Sequence, residues 1–151
     1  MKLVDCYTYR ISRGGDISFL LLRRSPDVIY SGTWRMVGGK ALPGEPSYRA
    51  ALRELYEETA FKPECFWCVP TLNQFFDHEH DVLRHIPVFA AEIPFDVSDH
   101  PTLNHEHIDF NWCPLTSLPL YALWPEQTRI MTLIAQLLER PLNPAWLIPA
   151  K

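Results

Sequence analysis

No stretch of this chain stays apolar for the roughly 18 residues that a membrane-crossing helix needs, and its opening, MKLVDCYTYRISRGG, lacks the apolar run of a signal peptide. A cytoplasmic location with no membrane partner is the expectation. Basic residues are sparse too: 14 lysines and arginines against 18 acidic residues give a net charge of −4, and the basic ones are scattered. That excludes a broad surface for a nucleic-acid polymer and leaves small or metal-neutralised anions as partners. Cysteine is limited to Cys6, Cys65, Cys68 and Cys113, and 151 residues bury a core without disulfides, so reduced thiols are expected. Cys65-Phe66-Trp67-Cys68 has neither a second pair for zinc nor a following helix for redox chemistry, and reads as two small, partly buried residues entering a strand. Internal repeats and low-complexity tracts are absent, and one domain over residues 1–151 is expected.

What is present is an ordinary globular composition, 47% apolar and 21% charged. Residues 3–11 (LVDCYTYRI) and 17–24 (ISFLLLRR) flank Ser12-Arg13-Gly14-Gly15-Asp16 and predict two strands joined by a turn. A loop follows, then a short extended segment at 33–37 and another turn at Pro43-Gly44. From Pro46 the residues Tyr48, Ala51, Leu52 and Leu55 recur at helical spacing, and proline is tolerated in a first turn. Residues 67–77 and 82–93 predict a hairpin around His78-Glu79-His80-Asp81, and 107–113 a further strand. Residues 123–140 predict a second helix, with Ile130, Leu133, Ile134, Leu137 and Leu138 on one side and Pro141 as its stop. The apolar, proline-rich tail PLNPAWLIPAK suits packing across the body or a subunit contact, in a monomer or a homodimer.

The first helix raises an electrostatic question. In RELYEETAF, residues 53–61, Glu54, Glu57 and Glu58 stand at i, i+3 and i+4 and share one face. On a solvated face such repulsion is about 0.2–0.5 kcal/mol per pair. A hard divalent cation would convert it into ligation, because Mg2+ takes oxygen ligands. The apolar stripe sets Glu54 and Glu58 at its border and Glu57 just beyond, with Arg49, Arg53 and Tyr56 towards the far side. The acids therefore sit where a cleft can form.

Residues 39–61, GKALPGEPSYRAALRELYEETAF, resemble the Nudix box, G-x5-E-x7-R-E-U-x-E-E-x-G-U, where U is bulky and aliphatic. Gly39, Glu45, Arg53, Glu54, Leu55, Glu57 and Glu58 match at the required spacing, while Ala60 replaces the usual glycine and Phe61 fills the last U position. Arg23-Arg24, Trp34 ahead of Gly38-Gly39, and Glu106 ahead of Trp112 extend the likeness over residues 3–140. The resemblance implies an α/β/α sandwich with a mixed sheet between helices. It also implies Mg2+ or Mn2+ held by Glu54, Glu57 and Glu58, with the Gly38 carbonyl as a further ligand. Arg53 would orient a glutamate and Glu45 would brace the loop or reach the metal through water. Alanine at position 60, just past the helix, is strained by on the order of 1 kcal/mol if the backbone there is left-handed, and removes no ligand.

The activity implied is hydrolysis of a nucleotide-like triphosphate to a monophosphate and pyrophosphate, by water attack on phosphorus. The alternatives are a nucleoside diphosphate sugar or dinucleoside polyphosphate as substrate, or a nucleotide-sensing module without turnover. For the base, the resemblance offers Glu54 or a downstream glutamate, Glu106 ahead of Glu79. Arg23, Arg24 and Lys40 are candidates to meet phosphate, and Trp34 to stack on a ring, with Tyr30, Phe75 and Phe76 behind it. The two phenylalanines are expected to alternate between core and cleft. His78, His80, His105 and His107 lack the H-E-x-x-H spacing of a helical zinc site and read as solvated loop histidines, with a metal or substrate role as the alternative.

Overall fold

Alternation along the first strand sets the layers. In the computed structural model, which describes residues 1–121 and 123–150, β1 (Leu3–Ile11) sends Val4 and Cys6 into one buried cluster and Tyr7 and Tyr9 into another. Successive strand side chains must point to opposite faces. β2 (Ile17–Arg24) repeats the pattern, with Leu20 and Leu22 in the first cluster and Phe19 and Leu21 in the second. Two apolar faces require two covers. α1 (Ser47–Thr59) lays Ala50, Ala51 and Leu55 on one, and α2 (Pro125–Leu137) lays Ile130, Met131 and Ile134 on the other. This is the expected α/β/α sandwich.

The sheet between them is mixed. β3 (Trp34–Arg35), β2, β1, β6 (Val82–Glu92) and β5 (Cys65–Asp77) lie in that order, with β4 (Val37–Lys40) beside β1 and β7 (His107–Cys113) beside β2. Only β1 and β6 run parallel among the described pairings. One edge of β1 is shared: β2 pairs with it over Tyr9–Ile11, then diverges, and β4 takes the edge at Leu3–Cys6. That splay carries Gly38-Gly39 into the sheet and against α1.

Several boundaries differ from expectation for local reasons. Pro46 is the N-cap of α1, with φ −62° and ψ 143°, and the helix begins at Ser47. Trp124 caps α2, because Pro125 occupies its first turn. The helix ends at Leu137 rather than 140, as Pro141 disfavours helical backbone at the residue before it. A 3-10 segment, Leu115–Tyr121, precedes α2 and was not expected from the sequence.

The tail packs across the body. The Ile148 N–H donates to the Phe66 carbonyl at 2.9 Å, and the rings of Trp146 and Trp67 stack at 6.1 Å. The four cysteines are free, with Cys65 half-buried and Cys68 exposed on β5. Among the described residues no helix is long and apolar enough to cross a membrane. Phe75 and Phe76 correct an expectation. Both are exposed near the tip of the β5–β6 hairpin, where they pair with Arg84 and Leu83 and where Val82 and Leu83 are exposed as well.

Candidate active site

β4 and the start of α1 form the floor. Gly39 stands opposite Val4, and a Cβ there would collide with the Glu54 carboxylate, so only glycine lets that carboxylate settle on the strand. A Cβ at Gly38 would meet the Val4 carbonyl oxygen at 3.0 Å, Arg35 Nη2 at 3.2 Å and Asp5 Oδ1 at 3.3 Å.

Arg53 organises the acids above this floor. Its Nε and Nη2 donate to the two Glu45 carboxylate oxygens at 3.0 Å each, and Nη1 donates to Glu54 at 3.0 Å and Glu57 at 3.1 Å. Nη2 also donates to the Lys40 carbonyl at 2.9 Å. The sequence stripe put Arg53 on the far side of the helix; instead its long side chain reaches across to the acids. Glu45 accepts the Leu42 N–H at 2.8 Å as well, so it ties the loop to the helix. Hydrogen bonding to Arg53, then to Leu42, holds the Glu45 carboxyl well below the ordinary range. Burial raises the Glu54 carboxyl, against the opposing pull of the Arg53 hydrogen bond. Glu57 is half-exposed.

Glu58 behaves differently. It lies within the buried face of α1 at 2% exposure, and its Oε2 has no hydrogen-bond partner. Burial pushes its pKa far up, with Arg35 as the largest opposing influence. Glu106 and His107 face it, and one ligand atom from each of the three lies within 4.8 Å of the others. Glu106 lies in the turn before β7, and His107 is the first residue of that strand. Here the β2–β7 register shifts between Arg23, which pairs with Asp109, and Arg24, which pairs with His107, leaving Ile108 bulged outward and exposed.

His107 corrects the reading of solvated loop histidines: it is 4% exposed and neither ring nitrogen has a partner. Burial, then Arg24 and Arg35, lowers its pKa to about 4, so the ring is neutral at neutral pH. An orphaned carboxylate oxygen, a second carboxylate and a neutral imidazole within reach of one another fit a divalent cation.

The remaining candidates are spread around this centre. Arg24 is half-buried, donates from Nε to the Ile29 carbonyl at 2.7 Å and lies within electrostatic reach of Glu106 and Glu58, whereas Arg23 is exposed. Lys40 offers its carbonyl to Arg53 and leaves its side chain in solvent. Trp34 packs edge-on against Tyr121 at 5.1 Å, and the exposed Tyr30 against Trp124 at 5.5 Å. Glu79 lies in the exposed hairpin turn, apart from the Glu58 group. Ala60 has φ 61°, the left-handed conformation its motif position requires, and its N–H donates to the Tyr56 carbonyl at 2.7 Å.

Two residues went unnoticed in the sequence. Arg35 has no hydrogen-bond or ion-pair partner among the described residues, yet it influences Glu58, Asp5 and His107. The signal was an arginine three positions before Gly38, within a two-residue strand. Asp5, 3% exposed, accepts from Asn73 Nδ2 at 2.8 Å, and burial pushes it up to about 6 despite that bond and the nearby Arg35.

A raised carboxyl holds its proton more tightly when folded. Asp5 therefore favours folding below the unfolded value of about 3.9 and loses that contribution as pH rises towards about 6, up to about 3 kcal/mol. Asp5→Asn is expected to raise stability to urea at neutral pH by about 1–3 kcal/mol and to change little near pH 4. A variant less stable than wild type at neutral pH would mean that Arg35 already compensates the charge.

Comparison with known proteins agrees with this architecture. The NUDIX domain family matches residues 4–134. A nucleoside triphosphate pyrophosphatase/Nudix hydrolase fusion protein of Bifidobacterium longum is 31% identical over 88 residues, covering 58% of this chain and 17% of its own length. The chain spans 17% and 27% of the lengths of the curated relatives it matches. An Ap4A hydrolase of C. elegans superposes with a TM-score of 0.71 at 26% identity, over 91% of this chain and 98% of that one. The NUDIX domain of Shewanella oneidensis NrtR, complexed with ADP ribose, gives a TM-score of 0.71 at 19% identity, over 91% and 88%, a likeness of fold. A family match running from β1 into α2 takes in every strand and both glutamate-bearing segments, so the chain belongs to the NUDIX domain family.

Proposed function

We propose that this Nudix-family protein is a hydrolase that cleaves a nucleotide-like triphosphate to a monophosphate and pyrophosphate, with Mg2+ or Mn2+ as cofactor. The observation that carries the reading is the buried Glu58 carboxylate, whose unpartnered oxygen faces Glu106 beneath the Arg53-ordered acids. Glu57, Glu58, Glu106 and the Gly38 carbonyl are the residues that would hold the cation, with Glu54 at their edge. When bound, such an ion neutralises phosphate charge and polarises the P–O bond.

The protein's own groups do the rest. Glu54, fixed by Arg53 and raised by burial, takes the proton from the attacking water. The water oxygen bonds to phosphorus as the bond to the pyrophosphate oxygen breaks, and that oxygen leaves with the electron pair. Arg35, without a partner among the described residues, and Arg24 beside it offer positive charge to the phosphates. This assigns Glu106 to cation binding rather than to the base, because it shares its site with Glu58 and lacks the Arg53 contact that orients Glu54.

A second reading, cleavage of a dinucleoside polyphosphate, is favoured by the likeness to an Ap4A hydrolase over nearly the whole of both chains. A substrate panel with Mg2+ or Mn2+, products identified by mass, separates the two. Pyrophosphate from nucleoside triphosphates supports the first reading, and a nucleoside triphosphate plus a monophosphate from Ap4A supports the second. Glu57→Gln is expected to lower kcat/KM on the better substrate by about 10- to 100-fold. Tight nucleotide binding without turnover of any compound would sink both in favour of a sensing module.

A further inference from the structure

We infer that His107 supplies an imidazole nitrogen to the cation site of Glu58 and Glu106, making it a mixed nitrogen and oxygen site that prefers Mn2+ or Co2+ to Mg2+. The inference rests on the cation-dependent reading above and adds a ligand outside the glutamate box. Three observations bear on it. His107 is buried, yet both ring nitrogens lack a partner, an arrangement that is unfavourable for a polar ring unless something occupies the space before it. Its ligand atom lies within 4.8 Å of those of Glu58 and Glu106, short enough for all three to reach one ion. The backbone is also built to aim it.

The register shift between Arg23 and Arg24 sets His107 opposite Arg24, on the face that α1 covers, and Glu106 reaches the same centre from the turn just before β7. Asn104 fixes the approach, since its side-chain oxygen accepts the Glu106 N–H at 3.1 Å and its carbonyl accepts the His107 N–H at 3.3 Å. The Glu106 carbonyl in turn accepts the Ser25 N–H at 2.8 Å, tying the segment to the end of β2. Two carboxylates alone suit Mg2+. An added imidazole shifts preference towards Mn2+ and Co2+, because Mg2+ prefers all-oxygen shells and keeps its waters.

The test uses the full chain loaded with Mn2+ or Mg2+ alone, first as wild type. Pulsed electron paramagnetic resonance of the Mn2+ form is expected to show nitrogen coupling, which changes character when histidine is labelled with 15N. His107→Asn is expected to abolish that coupling and to weaken Mn2+ binding by at least about tenfold while changing Mg2+ binding far less. The wild-type spectrum needs no variant, so a variant that fails to fold does not shield the inference. Mn2+ bound without nitrogen coupling overturns the role of His107 and leaves the carboxylate site standing. Failure of wild type to bind either ion, or ion binding that is unaffected in Glu58→Gln, overturns the underlying reading as well.

Discussion

Glu58→Gln is expected to abolish most hydrolysis while making the metal-free protein more stable. The first effect follows from removing a charged ligand at the centre of the acidic cluster, and on the order of 100- to 1000-fold in kcat/KM is expected. The second comes from burial: Oε2 has no partner, and an uncompensated buried carboxylate is costly. The folded-state pKa lies above the unfolded value of about 4.3, so the native state binds the proton more tightly. Metal-free stability is therefore greatest below the unfolded value and falls as pH rises towards the folded one. Glutamine removes that slope, and a gain in stability at neutral pH is expected by urea unfolding in EDTA. Saturating Mn2+ works against that order, stabilising wild type by about 2.7 kcal/mol at a hundred times its Kd and the variant far less. A variant that hydrolyses normally, or that is less stable in EDTA, would show that Glu58 has a purely structural role.

Gly39→Ala is expected to separate stability from activity in the opposite manner. The added methyl group collides with the Glu54 carboxylate, which is the mobile end of a flexible side chain and can swing away. Gly39 has no positive φ, so alanine suffers no backbone strain, and the change in Tm should correspond to less than about 1 kcal/mol. Activity should fall on the order of 100-fold, because a displaced Glu54 loses both its seat on β4 and its Arg53 contact. An alanine variant with wild-type kcat would mean that Glu54 needs no fixed position and would remove it as the base. Measuring Mn2+ affinity of the same variant separates the two duties considered for Glu54, since a base that is not a ligand leaves binding largely intact.

Elements with a repeating local cause were legible in the sequence. β1 and β2 were bounded correctly because their composition breaks sharply at Ser12–Asp16, and α1 was recognised, one residue early at its start, because its apolar stripe and glutamate spacing share one period. The sequence left the backbone at residue 60 open, and there alanine takes the left-handed conformation that glycine usually provides. What escaped depends on partners distant in the chain. His107 is buried by a shifted pairing with β2, more than eighty positions away, and no pattern within residues 105–113 announces it. Arg35 draws its importance from Glu58, Asp5 and His107, on three other elements. Phe75 and Phe76 carry the composition of core strand residues, yet their place near the hairpin tip leaves them in solvent.

The single guanidinium that gathers Glu45, Glu54, Glu57 and the Lys40 carbonyl has a consequence for how any kinetic measurement on this protein is interpreted. Because one rigid planar group satisfies three acids at once, deleting any acid redistributes its grip on the others. Substituting Glu45, remote from the reacting phosphorus, releases two donors that can then tighten on Glu54 or Glu57 and mask or mimic a chemical defect. Individual contributions from these acids will not sum, and their shares become measurable only in pairs, with Arg53 as the common reference.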